Sequence, residues 1–238
     1  MKAVFAAAIA SSLIVAFASG ASAQSSAGDL SGVWQSPYTP NIVQALGHEL
    51  PYTPYGLQRA RTVDFAKDPT GLCLPPGPAR AIQAPLPFQI VQTRDVIMLA
   101  FEYQRIFRMI YIGGAHPADI QDYPEFMGHS TGKWEGETLV VDTVGINERS
   151  WLDTAGHEHS GKLHLTERIK KIGIDKLEWT VTFDDPVFFE RPWSITRTFT
   201  RGKPTDRILP YTCTENNKDV DHLVPNQPNL GFKGSGRD

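Results

Sequence analysis

Sulfur is scarce in this chain, and neither sign of charge is in great excess. Only two residues, Cys73 and Cys213, are cysteine, and the haem attachment pattern Cys-x-x-Cys-His is absent. There is no glycine-rich phosphate cradle and no dinucleotide fingerprint either, so no nucleotide cofactor is expected. A formal net charge of −3 leaves no basic footprint for nucleic acid, and no Lys/Arg cluster adjoins an apolar face that would suit a membrane surface. The first apolar run is shorter than the roughly 20 residues needed to cross a bilayer, and no later segment is apolar enough. A small organic molecule is the partner class that survives these exclusions; oligomeric state is not legible.

What is present begins with a leader. Lys2 is followed by an apolar run from Ala3 to Phe17, then by small residues ending in Ala21-Ser22-Ala23. This reads as a secretory signal peptide over 1–23, cleaved before Gln24. The remaining 24–238 is expected to form one domain that is periplasmic or secreted. In an oxidising compartment Cys73 and Cys213 are expected to form a single disulfide closing a long loop, the alternative being two buried thiols.

Within 24–238 three regions differ in texture. Residues 30–87 open with a strand over Leu30–Gln35, then become irregular and rich in proline and glycine, with a short helix predicted at Tyr55–Phe65. Leu74-Pro75-Pro76-Gly77-Pro78 is barred from interior sheet because proline has no amide donor, so this region should wrap the outside of the domain or cover one end. Residues 88–214 carry strand patterns at Phe88–Thr93, Val96–Tyr103, Ile106–Ile112, Thr138–Val144, Leu163–Ile172, Leu177–Phe183, Trp193–Thr200 and Leu209–Thr214. Residues 215–238 read as a tail. Closely spaced strands without helical patterns between them predict an all-β fold, an antiparallel β-barrel.

Alternation predicts which side chains face inward. Leu177, Trp179, Val181 and Phe183 share one face of their strand. Two charges fall on such faces. Glu167 is in phase with Leu163, Leu165 and Ile169, and Arg197 with Trp193, Ile195 and Phe199. A charge among apolar neighbours must be paired or used: either the two form a buried ion pair, or they make a polar floor in a cavity, with Glu167 a base and Arg197 an anion clamp. Glu102, Arg105 and Arg108 are candidates to extend that network.

Asp29-Leu30-Ser31-Gly32-Val33-Trp34 is similar to the Gly-x-Trp opening of lipocalins, which implies a lipocalin-like barrel with Trp34 closing one end. The long irregular stretch after this strand departs from the lipocalin pattern. A second resemblance runs through Cys73-Leu-Pro-Pro-Gly-Pro, Met127-Gly-His-Ser, Trp134-Glu-Gly-Glu-Thr-Leu-Val-Val-Asp-Thr and Cys213-Thr-Glu-Asn-Asn, which look like a family of exported bacterial β-rich proteins. It implies a shared fold and little about chemistry.

Candidate chemistry concentrates between Gly128 and Arg168. His129, in a Gly-His-Ser turn, is the expected general base, oriented by Asp142 or Asp153, because an imidazole beside a carboxylate is held in one tautomer and titrates near neutrality. Asn147, Trp151 and Asp153 are expected to shape the site, with Tyr103, Arg108, Trp134 and Arg197 contacting substrate. No Gly-x-Ser-x-Gly elbow surrounds Ser130. His157-Glu158-His159 offers a metal-binding alternative, although Leu163 and His164 stand where a cupin-type site would place its glutamate. The expectation is a cofactor-independent isomerase, lyase or hydrolase acting in a barrel pocket, with a noncatalytic binding or carrier protein as the alternative.

Overall fold

Trp34 is fully buried, its indole N–H donating to the Leu30 carbonyl at 3.0 Å while the Arg201 guanidinium lies 4.9 Å from its ring centre. That contact spans the seam of a closed barrel. The computed structural model describes residues 28–213; the signal peptide read over 1–23 and the tail over 215–238 lie outside the described residues. The strands are β1 (Gly32–Gln35), β2 (Phe88–Gln92), β3 (Val96–Phe101), β4 (Phe107–Ile112), β5 (His129–Glu135), β6 (Thr138–Val144), β7 (His164–Lys171), β8 (Lys176–Asp184) and β9 (Trp193–Arg201). They pair in chain order and β1 closes on β9.

The barrel expected from the strand spacing is therefore present, with two departures. Neighbours are antiparallel except β4 and β5, which run parallel with Ile110 opposite Ser130. A parallel pair needs a crossover of about a dozen residues or more, and residues 113–128 supply it. The second departure is β5 itself, which begins at His129 where the sequence suggested a turn. Its run of His, Ser, Thr, Gly and Lys has no aliphatic alternation to betray a strand. Gly132 sits on its inner side because a Cβ there would come within 2.8 Å of an Ile110 methyl. Leu209–Thr214, expected as a strand, is irregular through Cys213.

Alternation predicts facing correctly elsewhere. Leu177, Trp179, Val181 and Phe183 are buried, as are Trp193, Ile195 and Phe199 on β9. Among the described residues the interior side chains form a packed core. Phe88 meets Phe199 edge-on at 5.2 Å, Trp179 edge-on at 5.9 Å and Phe101 at 5.6 Å. Each such side chain contributes about 1.5–3 kcal/mol on burial, and the edge-to-face arrangement about 0.5–1.5 kcal/mol more per pair. A ligand site inside the barrel, as the sequence suggested, would have to displace this cluster.

The irregular wrap covers one end. Three short helices lie in it: α1 (Ile42–Leu46), α2 (Pro54–Arg61) and α3 (Pro78–Ala81). Asn41 and Thr53 cap the first two, accepting from the Gln44 and Gly56 amides, which satisfies otherwise orphaned donors. Tyr52 bridges to Phe189, and the Gln83 side-chain amide donates to the Leu152 carbonyl at 2.6 Å. Residues 37–87 thus pack with residues 145–163 and 185–192 over the mouth where β1 ends and β9 begins. Cys73 and Cys213 are joined as a disulfide across a sequence separation of 140.

Candidate functional site

The sequence-predicted site residues fall into three places rather than one. The first is the barrel interior. Glu167 and Arg108 are each about 1 % exposed and ion-paired. The Arg108 guanidinium also donates to Ser130 Oγ at 2.9 Å and Thr143 Oγ1 at 2.6 Å, while the Trp179 indole N–H reaches Glu167 Oε1 at 3.0 Å. The expected Glu167–Arg197 pair is thereby corrected: Arg108, from β4, reaches the glutamate instead. Arg197 points inward as expected, donates to the Pro37 carbonyl and lies 5.7 Å from the Phe199 ring centre. Burial lowers its pKa to about 10. Glu102 accepts from the Leu209 amide and Arg105 donates to Thr212.

The second place is the covered mouth. Asp153 is fully buried and accepts from the Ile42 amide at 2.7 Å, the Ala155 amide at 3.0 Å and His157 Nδ1 at 2.6 Å. It anchors the wrap to the loop, so it is not available to orient His129. His159, also buried, contacts the Ser160 carbonyl through Nδ1 and Ser150 Oγ through Nε2, at 2.8 and 2.9 Å. Burial pushes its pKa down. Both ring nitrogens are thus engaged by protein groups, leaving neither for a metal. The His157/His159 metal alternative is corrected on that ground: the two rings serve different partners, and among the described residues no group of three or more His, Cys, Asp or Glu side chains is placed to hold an ion. Asn147 organises the adjoining turn, accepting from the Arg149 amide. Trp151 is buried, 6.1 Å from Phe65 edge-on. Trp134 packs against the core from β5.

Two clefts open here. A polar one of about 530 Å³ runs between α2 and the 148–160 segment, crossed by the Arg59–Glu158 ion pair at 2.7 Å. A smaller one of about 210 Å³ is bordered by Tyr38, Arg80, Gln83, Ala84, Tyr103 and Thr154. Arg80 is forked onto Asp68 through both terminal nitrogens, at 2.7 and 2.8 Å, and Gln83 spends its NH₂ on two carbonyls. Arg80 Nε and Gln83 Oε1 are buried with no partner. Native proteins rarely leave such groups unpaired, because each costs about 1–3 kcal/mol.

The third place is the outer face of the barrel. His129 and Thr131 on β5, Asp142 on β6 and His164 on β7 all point outward, with Thr131 directly opposite Asp142. The crossover lays His116 over them. His116 Nε2 is 2.7 Å from Asp142 Oδ1, His164 Nε2 is 2.6 Å from Asp142 Oδ2, and His116 Nδ1 is 2.8 Å from His129 Nδ1. Tyr111 stacks on the His129 ring at 5.2 Å. Burial opposes the Asp142 charge, but the hydrogen bonds from His164 and His116 prevail and hold its carboxyl below the ordinary range. Burial, helped by His116, lowers His129. His129 and Asp142 thus share a cluster without touching. His116 links them, a residue that sequence reasoning missed because it lies alone in an irregular segment, Gly-Gly-Ala-His-Pro, with no partner nearby in the chain.

No family model and no curated protein matches the chain. Among solved structures, the crystal structure of a point mutant of the fluorescent protein UnaG is similar at 14 % identity, covering 73 % of this chain and 96 % of that one with a TM-score of 0.34. At that level the similarity says nothing of what this chain binds.

Proposed function

We propose that this chain is an exported small-molecule-binding barrel whose ligand sits at the covered mouth and not in the lumen. One observation carries the reading: the 210 Å³ cleft is bordered by Arg80 and Gln83, and each of these keeps a buried polar atom without a partner. Both atoms are closed off in this structure, so a ligand that widened the cleft enough to present an acceptor to Arg80 Nε and a donor to Gln83 Oε1 would satisfy both. Because Asp68 already neutralises Arg80, the site favours a neutral head group of the amide type over a carboxylate. Tyr38 and Tyr103 supply apolar walls for the rest of the molecule. The volume is below the roughly 300–1,000 Å³ of drug-sized sites, so the ligand is small. Export agrees with the leader read over 1–23 and with the Cys73–Cys213 disulfide.

Benzamide and benzoate make a suitable pair of probes, followed by ¹H–¹⁵N NMR. Benzamide is expected to shift the resonances of Arg80 Nε and the Gln83 side chain, with benzoate at least tenfold weaker and Ala84→Leu abolishing the response by filling the cleft. Equal binding of both probes, or full response in a folded Ala84→Leu variant, would place the site elsewhere. No response to either would leave the cleft to ordered water.

A further inference from the structure

The Asp142–His116–His129 chain is independent of the covered cleft, and its geometry points to a proton-transfer site on the outer face, with His129 Nε2 as a general base toward water attacking a small activated acyl ester. With both rings neutral, hydrogen-bond logic places the protons. An ionised carboxylate only accepts, so His116 must donate to Asp142 from Nε2 across 2.7 Å. In neutral His116 the remaining nitrogen, Nδ1, is then a lone pair. The hydrogen in the 2.8 Å contact between the two Nδ1 atoms therefore belongs to His129. A neutral His129 that carries its hydrogen on Nδ1 has its lone pair on Nε2, and that is the atom a base needs.

The residues around the ring support the assignment. His129 is partly exposed at the start of β5, so a substrate can approach it. Tyr111 stacks on it within 14° of parallel and fixes its plane. Glu125 is the nearby acidic group and favours the protonated ring, while burial and His116 disfavour it more strongly. Asp142 is gripped from its other side by His164, which keeps the carboxylate facing His116. The adjacent Ser130 is no nucleophile, because it is buried and bonded to Arg108. Water is the nucleophile the base has to activate.

The step balances without a cofactor. As the water oxygen bonds to the acyl carbon, His129 Nε2 takes one water proton and its Nδ1 proton passes to His116 Nδ1, leaving His116 with hydrogens on both nitrogens beside Asp142. The tetrahedral adduct then expels its alkoxide or phenolate. The proton returns through His116 and His129 to the leaving group or solvent, giving acid and alcohol. His129 is the catalytic residue here; His116 and Asp142 position it and relay its proton.

Two measurements on the full chain test this. Long-range ¹H–¹⁵N NMR at neutral pH is expected to show His129 protonated on Nδ1 and His116 on Nε2. With p-nitrophenyl acetate as probe, His129→Gln should lose tenfold or more in kcat/KM, in keeping with the about 10²–10⁴ that a positioned base contributes. His116→Gln should lower kcat about tenfold with KM unchanged and displace the pH–rate profile. A His129 ring protonated on Nε2 would overturn the proposal, as would a wild-type rate no higher than that of folded His129→Gln. Should His116→Gln fail to fold, the wild-type tautomers still decide the matter.

Discussion

Arg108 and Glu167 face each other inside the barrel, one from β4 and the other from β7, with Ser130, Thr143 and Trp179 hydrogen-bonded to one or the other. Thr143 illustrates the closure of this network: its hydroxyl lies 2.6 Å from Arg108 Nη2 and 3.1 Å from Ser130 Oγ. An ion pair taken this far out of water gains little over apolar side chains of the same volume, yet removing one member strands the other. Arg108→Met is therefore expected to destabilise the fold by about 3–5 kcal/mol, whereas Arg108→Met with Glu167→Leu should recover most of that loss. Urea unfolding of the two variants checks this; equal losses in both would mean the pair contributes through packing alone.

The disulfide ties Cys213 to the wrap that covers the mouth. Closing so long a loop restricts the unfolded chain, and by the chain-entropy relation this is worth up to about 5 kcal/mol. Cys73→Ser should lower the urea midpoint substantially, and reducing the wild type should give the same midpoint. Near-identical midpoints for oxidised and reduced protein would contradict the estimate.

His159 sets the expected pH dependence. Burial lowers its pKa in the folded state, so the unfolded chain takes up the proton more readily. Stability is complete above the ordinary histidine value of about 6.5 and is lost as the pH falls through it toward the lowered folded value. His129 adds a contribution of the same sign. Asp142 acts in a more acidic window: its folded pKa is depressed, so its contribution persists above about 3.9 and disappears below it. Urea midpoints between pH 8 and 5 should fall on acidification, and His159→Asn should flatten part of that slope. A wild-type midpoint independent of pH over this range would rule out burial of a neutral ring.

Much of the barrel was legible because strand alternation is a local property. The phase that turns Trp179 and Phe183 inward also turns Glu167 and Arg197 inward, and no tertiary information is needed to see it. β5 escaped because, Trp134 apart, its residues are polar or glycine on both faces; it is a strand through its pairing with β6 and the close approach of Ile110 to Gly132. The site was less legible. His129 and Asp142 stood out as titratable groups near one another in the chain, but their connection runs through His116, placed by a crossover whose path depends on the parallel pairing of β4 with β5.

By itself, then, the order of residues determined the class of fold and the inward set of each regular strand, because periodicity and proline's missing donor act within the chain, while the pairing of Cys73 with Cys213 was one of two expectations until the fold brought them together. Only the tertiary structure decided which cation neutralises Glu167, that aromatic rings fill the lumen, and that Arg80 and Gln83 border the same cleft. Those are contacts between residues far apart in sequence. They depend on register and on how the wrap closes over the mouth, and no local pattern encodes either.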